Sequence, residues 1–384
     1  MAVITCVEDL RVLAKRRVPR MFYEYADSGS WTESTYRANQ ADLTAIKLRQ
    51  RVAVDIDKRS TATTMIGVPV TMPVAIAPVG MTGMQHPDGE IAAARAAEKF
   101  GIPFTLSTMS ICSIEDVAAA TTKPFWFQLY VMRERAFTEK LIERAKAAKC
   151  GALVLTLDLQ ILGQRHKDLK KGLSAPPRPT LANLVDLATK PRWCMGMLGT
   201  RRRQFGNIVG HVDGVEDMTS LGHWTNHQFD PTLDWDDVEW VKRRWGGKLI
   251  LKGIQDVEDA KRAVDVGADA LIVSNHGGRQ LDGAESSIRA LPAIADAVGS
   301  KIEVHMDGGI RSGQDVLKAW ALGARGTYIG RAMVWGLGAM GEAGVTKALE
   351  IIRNELDLTM AFCGRTRLAD VDASVILPGT APSR

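Results

Sequence analysis

Eight short apolar runs, rich in β-formers, recur along this chain with helical patterns between most of them. They are Pro73–Pro78, Pro103–Thr108, Pro124–Tyr130, Ala152–Asp158, Lys248–Lys252, Ala270–Asn275, Glu303–Asp307 and Gly326–Gly330. Short runs of this kind that end in polar, glycine-rich turns read as buried strands. The intervening helices show in Phe137, Leu141, Ala145 and Ala148 on a Lys/Arg/Glu-rich background, and in Val316, Leu317 and Trp320 after the Gly313 turn. Eight strand–helix units predict an α/β chain folded as a (β/α)8 TIM barrel rather than an open sheet.

The spacing has one exception. Strand starts lie 21 to 33 residues apart, except that strand four starts at 152 and strand five at 248. One barrel helix, Asp234–Trp245 with Val238 and Val241 inward, fits in that gap. The rest, 159–232, is an insertion far longer than an ordinary connection, which marks it as functional. Residues 1–70 precede the barrel and contain an amphipathic helix over Val7–Val18. The whole of 1–384 is read as a single domain.

Barrel enzymes keep their chemistry at the C-terminal ends of the strands. Here those ends read Pro78-Val79-Gly80, Ser107-Thr108-Met109, Gln128-Leu129-Tyr130, Thr156-Leu157-Asp158 with Arg165 beyond the Gly163 turn, Lys252, His276 with Arg279, Asp307-Gly308-Gly309-Ile310-Arg311, and Gly330-Arg331. Nearly every end carries a group that titrates or hydrogen-bonds. In Ser274–Asp282, His276 can accept a proton near neutral pH, and Arg279 can grip a carboxylate with a planar fork. Base plus clamp suits chemistry at the α-carbon of a small acid. A capped loop, in which both side chains merely hold backbone carbonyls, is the alternative. Glycines and arginines at the last two strands suit a phosphate; tight turns are the alternative there.

One motif misleads. Gly336-Leu337-Gly338-Ala339-Met340-Gly341 matches the dinucleotide fingerprint, but it follows the last strand, and only a helix (Val345, Leu349, Ile352, Leu356) comes after it. It reads as the last barrel turn. Five cysteines without metal-type spacing suggest reduced thiols and no zinc site. No stretch approaches the ~18 apolar residues of a membrane span, and residues Met1 to Pro19 lack the apolar core of a signal peptide. A net charge of +5 is too modest and scattered to indicate nucleic acid. His86, His166 and His305 lack a comparable setting and are read as structural.

The strand ends resemble those of the FMN-dependent L-2-hydroxy acid oxidising family, from Tyr23–Gly29 to the C-terminal helix. The run Leu157–Asp168 and the insertion look most like its bacterial respiratory L-lactate dehydrogenase branch. The resemblance implies His276 as the base and Asp158 as its stabilising carboxylate. It implies Arg279 and Tyr25 on the substrate carboxylate with help from Arg165, Tyr130 on the substrate hydroxyl, and Met109 as a flexible apolar wall. Lys252 would face the N1/O2 edge of the flavin. Ser107, Gln128 and Thr156 would bond its ring, with Val79 and Gly80 beside it. Asp307 would meet the ribityl chain, and Gly309, Arg311, Gly330 and Arg331 the phosphate. The motif does not fix the acceptor: many members carry Thr-Ala where this chain has Val79-Gly80. The family also implies a homo-oligomer, such as a tetramer.

The insertion bears on the acceptor. From Arg165 to Phe205 ten Lys/Arg stand against Asp168 and Asp186, a net +8. Leu181, Leu184, Val185, Leu187, Trp193, Met195, Met197 and Leu198 are interleaved. Basic residues with an apolar, Trp-containing stripe read as a segment lying in an anionic membrane interface, with a solvated basic lid that orders over substrate as the alternative. The expectation is oxidation of an L-2-hydroxy acid, foremost L-lactate, at the cytoplasmic face of the inner membrane, with quinone or a cytochrome as acceptor. The competing readings are a soluble oxidase that makes hydrogen peroxide and a barrel without flavin turnover.

Overall fold

The computed structural model describes residues 3–170, 180–212, 215 and 229–382. Eight parallel strands form at the expected places: β1 Val74–Ile76, β2 Thr105–Ser107, β3 Trp126–Leu129, β4 Ala152–Thr156, β5 Leu249–Ile254, β6 Ala270–Val273, β7 Glu303–Asp307 and β8 Gly326–Ile329. They pair in the order β1-β8-β7-β6-β5-β4-β3-β2. A parallel bridge from Ile76 to Phe104 joins the two ends into a barrel.

The strands are apolar throughout because both faces are covered. Ala75, Ala152, Val154, Ile250, Ala270 and Ile272 point inward, where Trp126 and Tyr328 fill the space left by the alanines. Leu153, Leu155, Leu249, Leu251, Leu271 and Val273 point outward into the layer shared with the helices. The antiparallel hairpin Thr63–Met65/Val68–Val70 plugs the bottom, adding Met65, Ile66 and Val70 to the interior. There Glu303 Oε2 accepts from Ile66 N at 2.8 Å and pairs with His305 Nε2 at 3.0 Å. His305 is therefore part of the structural floor.

Helix starts follow local chemistry. Asp234 caps helix Trp235–Trp245 and Ser312 caps Gly313–Ala321, each in a reciprocal capping box. Helix Val7–Arg17 buries Val7, Leu10 and Ala14 and lies against helix Arg331–Met340. That contact and the packing of the following helix Glu342–Phe362 explain the misleading glycines. A Cβ on Gly338 would come within 2.7 Å of Val18 Cγ2, and one on Gly336 within 2.4 Å of the Gly344 carbonyl.

The insertion leaves β4 through helices His166–Lys170, Leu181–Ala188 and Pro191–Gly199. Its apolar stripe divides in two. Trp193 stacks on Phe22 at 5.5 Å and donates to Met84 O, and Met197 is buried. Leu181, Leu184, Val185, Met195 and Leu198 remain exposed, Leu181 by 78% and Leu198 by 75%. Lys171 and Arg178 lie outside the described residues. Among the described residues no helix is long and apolar enough to cross a membrane.

Candidate active site

A cavity of about 860 Å³ opens at the C-terminal ends of the strands. The loop after β6 aims its base into it. His276 adopts φ +57°, followed by Gly277 at +65° and Gly278 at +73°. A left-handed backbone at a histidine is strained and persists only where its surroundings hold it. Asn275 supplies that hold: its Oδ1 accepts from Gly278 N at 3.0 Å and its Nδ2 donates to Glu285 O at 3.0 Å. It also exchanges two hydrogen bonds with the Asn39 side chain, at 2.8 and 2.9 Å. Glycine is obligatory at 278, where a Cβ would sit 2.5 Å from Tyr36 N.

His276 Nδ1 lies 2.9 Å from Asp158 Oδ1. With the Nδ1 proton given to the carboxylate, Nε2 keeps its lone pair. Burial, with Lys252 and Arg165 nearby, holds the imidazole below its ordinary value of 6.5 despite the opposing pull of Asp158. Burial pushes the Asp158 carboxyl up, but His276 and Lys252 outweigh it and keep it ionised. A neutral imidazole beside a carboxylate is poised to accept a proton.

Two arginines converge beside it. Arg279 donates to the carbonyls of Tyr25 and of Ser28, the latter at 3.0 Å, and its guanidinium stands 4.7 Å from the centre of the Tyr25 ring. Arg165 stacks on the same ring at 5.9 Å. Burial and the charge of Arg165 push Arg279 down to about 9. It stays protonated at neutral pH, a buried cation that an incoming anion would stabilise. Tyr130 turns edge-on to Phe229 at 5.7 Å, its phenol raised by burial. Met109 and Gly80 form the adjoining wall, where a Cβ on Gly80 would lie 3.1 Å from Met109 Cβ.

The opposite end is polar and underfilled. Lys252 bonds Ser274 Oγ at 2.8 Å and Asp307 Oδ2 at 3.3 Å; burial disfavours its charge, but Asp307 and Asp158 keep it cationic. Among the described residues, Gln128 Nε2, Thr156 Oγ1, Asp307 Oδ1 and Arg311 Nε are buried without a hydrogen-bond partner. Each such atom costs roughly 1–3 kcal/mol unless a ligand meets it. Ser107, Asp307, Gly309, Arg311, Gly330 and Arg331 line the cavity beside Val79. Gln128 and Thr156 stand behind that lining, at the ends of β3 and β4.

Arg331 has a structural task that its strand-end position did not announce. Arg331 spends three donors on carbonyls, those of Ala26 at 3.0 Å, Gly277 at 2.9 Å and Ser28 at 2.8 Å. It straps the N-terminal segment to the β6 loop and leaves two N–H groups for a ligand. Sequence reasoning also missed much of the wall: Met21, Phe22, Met81, Met84, Asp168, Arg203, Phe205 and Phe229 all line the cavity. Met21 and Phe22 had a signal in their nearness to Tyr25, Met81 and Met84 in following Val79-Gly80, and Asp168 in its place one helical turn after Arg165; Arg203, Phe205 and Phe229 come from chain distant in sequence.

The family model for FMN-dependent dehydrogenases matches residues 14–378. This chain belongs to that family. An L-lactate dehydrogenase of Caulobacter vibrioides is 46% identical over 379 residues, covering 97% of this chain and 98% of the relative. An L-lactate dehydrogenase of Stenotrophomonas maltophilia is 45% identical over 383 residues, covering 98% and 100%. Among solved structures, a monotopic membrane protein, (S)-mandelate dehydrogenase, superposes with a TM-score of 0.93 at 34% identity, covering 98% of this chain and 100% of that one. A mandelate oxidase with (S)-2-phenylpropionate gives 0.82 at 34% identity, covering 98% of each. The cofactor of this FMN-dependent dehydrogenase is FMN, and the residues fit it. Unpartnered amide, hydroxyl and carboxylate atoms would suit a polar ring and a ribityl chain, the buried cation Lys252 would suit a ring edge that gains negative charge, and glycines with Arg311 would suit a phosphate.

Proposed function

We propose that this protein oxidises L-lactate to pyruvate and passes the electrons to a membrane quinone or cytochrome. The observation that carries the chemistry is the neutral His276, held by Asp158 at 2.9 Å and facing the same cavity as the Arg165/Arg279 pair. Bound FMN supplies the two-electron acceptor. Arg279 and Arg165 hold the substrate carboxylate, with Tyr25 beneath them. Tyr130 hydrogen-bonds the substrate hydroxyl, and Met109 gives the methyl group an apolar wall. His276 Nε2 takes the proton that leaves the substrate, whether from the hydroxyl or from the α-carbon, and Asp158 stabilises the imidazolium that forms.

In the same reading Ser107, Gln128 and Thr156 bond the flavin ring beside Val79 and Gly80, and Lys252 balances charge at its N1/O2 edge. Asp307 meets the ribityl chain; Gly309, Arg311, Gly330 and the free N–H groups of Arg331 meet the phosphate. The exposed apolar residues of the insertion support a peripheral membrane site, at the cytoplasmic face of the inner membrane.

The test is anaerobic bleaching of the flavin absorbance. L-lactate should bleach it faster than glycolate or L-mandelate, and His276→Gln should keep its yellow colour yet lose most of the reduction. Full reduction in that variant would remove the base assignment. Peroxide formed in air as fast as a dye acceptor is reduced would favour an oxidase instead.

A further inference from the structure

Neither base nor clamp requires Asp168, yet this carboxylate is buried at the substrate end of the cavity. Its Oδ2 lies 3.9 Å from Arg165 Nη1, and its Oδ1 is 3.4 Å from Ser28 Oγ. The Ser28 carbonyl in turn accepts from Arg279 at 3.0 Å. Burial raises the carboxyl above its ordinary value while Arg279 and Arg165 pull it back. Another acid nearby, Glu24, pairs with Arg20 at 3.6 Å, and Asp158 is engaged by His276 at 2.9 Å and by the charge of Lys252. Arg165 and Arg279 are therefore left facing Asp168, and these three groups together carry one positive charge.

A buried cation pair without a counter-charge would draw anions of any valence. The contact to Arg165 is loose, and Arg165 Nε has no partner among the described residues. Asp168 therefore offsets charge without locking the arginine, which stays free to fork onto an incoming carboxylate. We propose that Asp168 is a specificity-determining residue: it cancels one of the two clamp charges, so that the site accepts a single carboxylate and repels an acid bearing two. Specificity here comes from a built-in repulsive element as much as from the attractive pair.

The proposal rests on reading Arg165 and Arg279 as the carboxylate clamp. The test titrates the oxidised holoenzyme with pyruvate and with malonate, following both the flavin absorbance and the heat of binding, in wild type, Asp168→Asn and Asp168→Glu. The asparagine variant should tighten malonate relative to pyruvate by about tenfold, since one unit charge is removed within a few ångströms of a partly buried site. The glutamate variant should keep the wild-type ratio. A ratio unchanged in Asp168→Asn, with both ligands weakened or strengthened alike, overturns the proposal and leaves the clamp standing. If neither acid binds the wild type, the clamp reading itself is lost.

Discussion

At the scale of single residues, the pH behaviour of the base follows from its surroundings. His276 works unprotonated, so activity is present above its pKa and is lost as pH falls through it. Burial with Lys252 and Arg165 holds that pKa below 6.5. kcat/KM for L-lactate should therefore be level through neutrality and fall only on the acid side of 6.5. Asp158 is the group that raises the imidazole, so Asp158→Asn should move the acid limb still lower. It should also slow flavin reduction by about 10²- to 10⁴-fold, because the imidazolium loses its partner and the tautomer its anchor. Stopped-flow reduction across pH checks both; an acid limb that moves upward would contradict the electrostatics. His276 was legible in the sequence because a polar, glycine-rich turn followed an apolar strand. Its φ of +57° was not, since the hold on Asn275 includes a pairing with Asn39 across distant chain.

At the scale of elements, glycines at two neighbouring strand ends do different work. Gly309 has φ +87°, and a Cβ there would lie 2.3 Å from the Asn39 carbonyl. Gly330 precedes helix Arg331–Met340 with φ −100°, and its nearest neighbours to an added Cβ are Val79 Cγ2 at 3.6 Å and Ala77 Cβ at 3.8 Å, an ordinary contact. Gly309→Ala should destabilise the apoprotein by about 1–3 kcal/mol through strain and collision. Gly330→Ala should leave apoprotein melting unchanged but weaken FMN by about tenfold, because the methyl group stands where a phosphate approaches backbone N–H groups. Thermal melts of apoprotein and FMN titration separate the two. The strands were readable because covering on both faces makes them continuously apolar. Helix Trp235–Trp245 was readable through its Asp234 cap. The strapping role of Arg331 was not readable, because strand position says nothing of the carbonyls of Ala26 and Ser28, which reach it only after the N-terminal segment folds back.

At the scale of the whole molecule, the barrel supplies the chemistry and the insertion its setting. The barrel was visible as a rhythm in the sequence, whereas the cavity wall was not, because Phe205, Phe229 and Asp168 arrive from the insertion through contacts of no fixed spacing. The basic, apolar character of 165–205 was visible, but not its division. Trp193 and Met197 face the body, so the surface left for the proposed membrane contact is Leu181, Leu184, Val185, Met195 and Leu198 with exposed Arg192 and Arg201. Since these apolar side chains touch little of the barrel, changing Leu181, Leu184, Val185 and Leu198 together to serine should leave thermal stability and anaerobic lactate reduction near wild type. Burial in an interface is worth about 1–2 kcal/mol for each such side chain, so the fourfold variant should lose vesicle binding by several hundredfold or more. Binding by the parent should need anionic lipid and weaken with salt, as a +8 segment near a charged surface requires. Flotation with vesicles of mixed phosphatidylglycerol and phosphatidylethanolamine measures all three effects. Salt-independent binding, or undiminished flotation of the serine variant, would place the membrane contact elsewhere on the molecule.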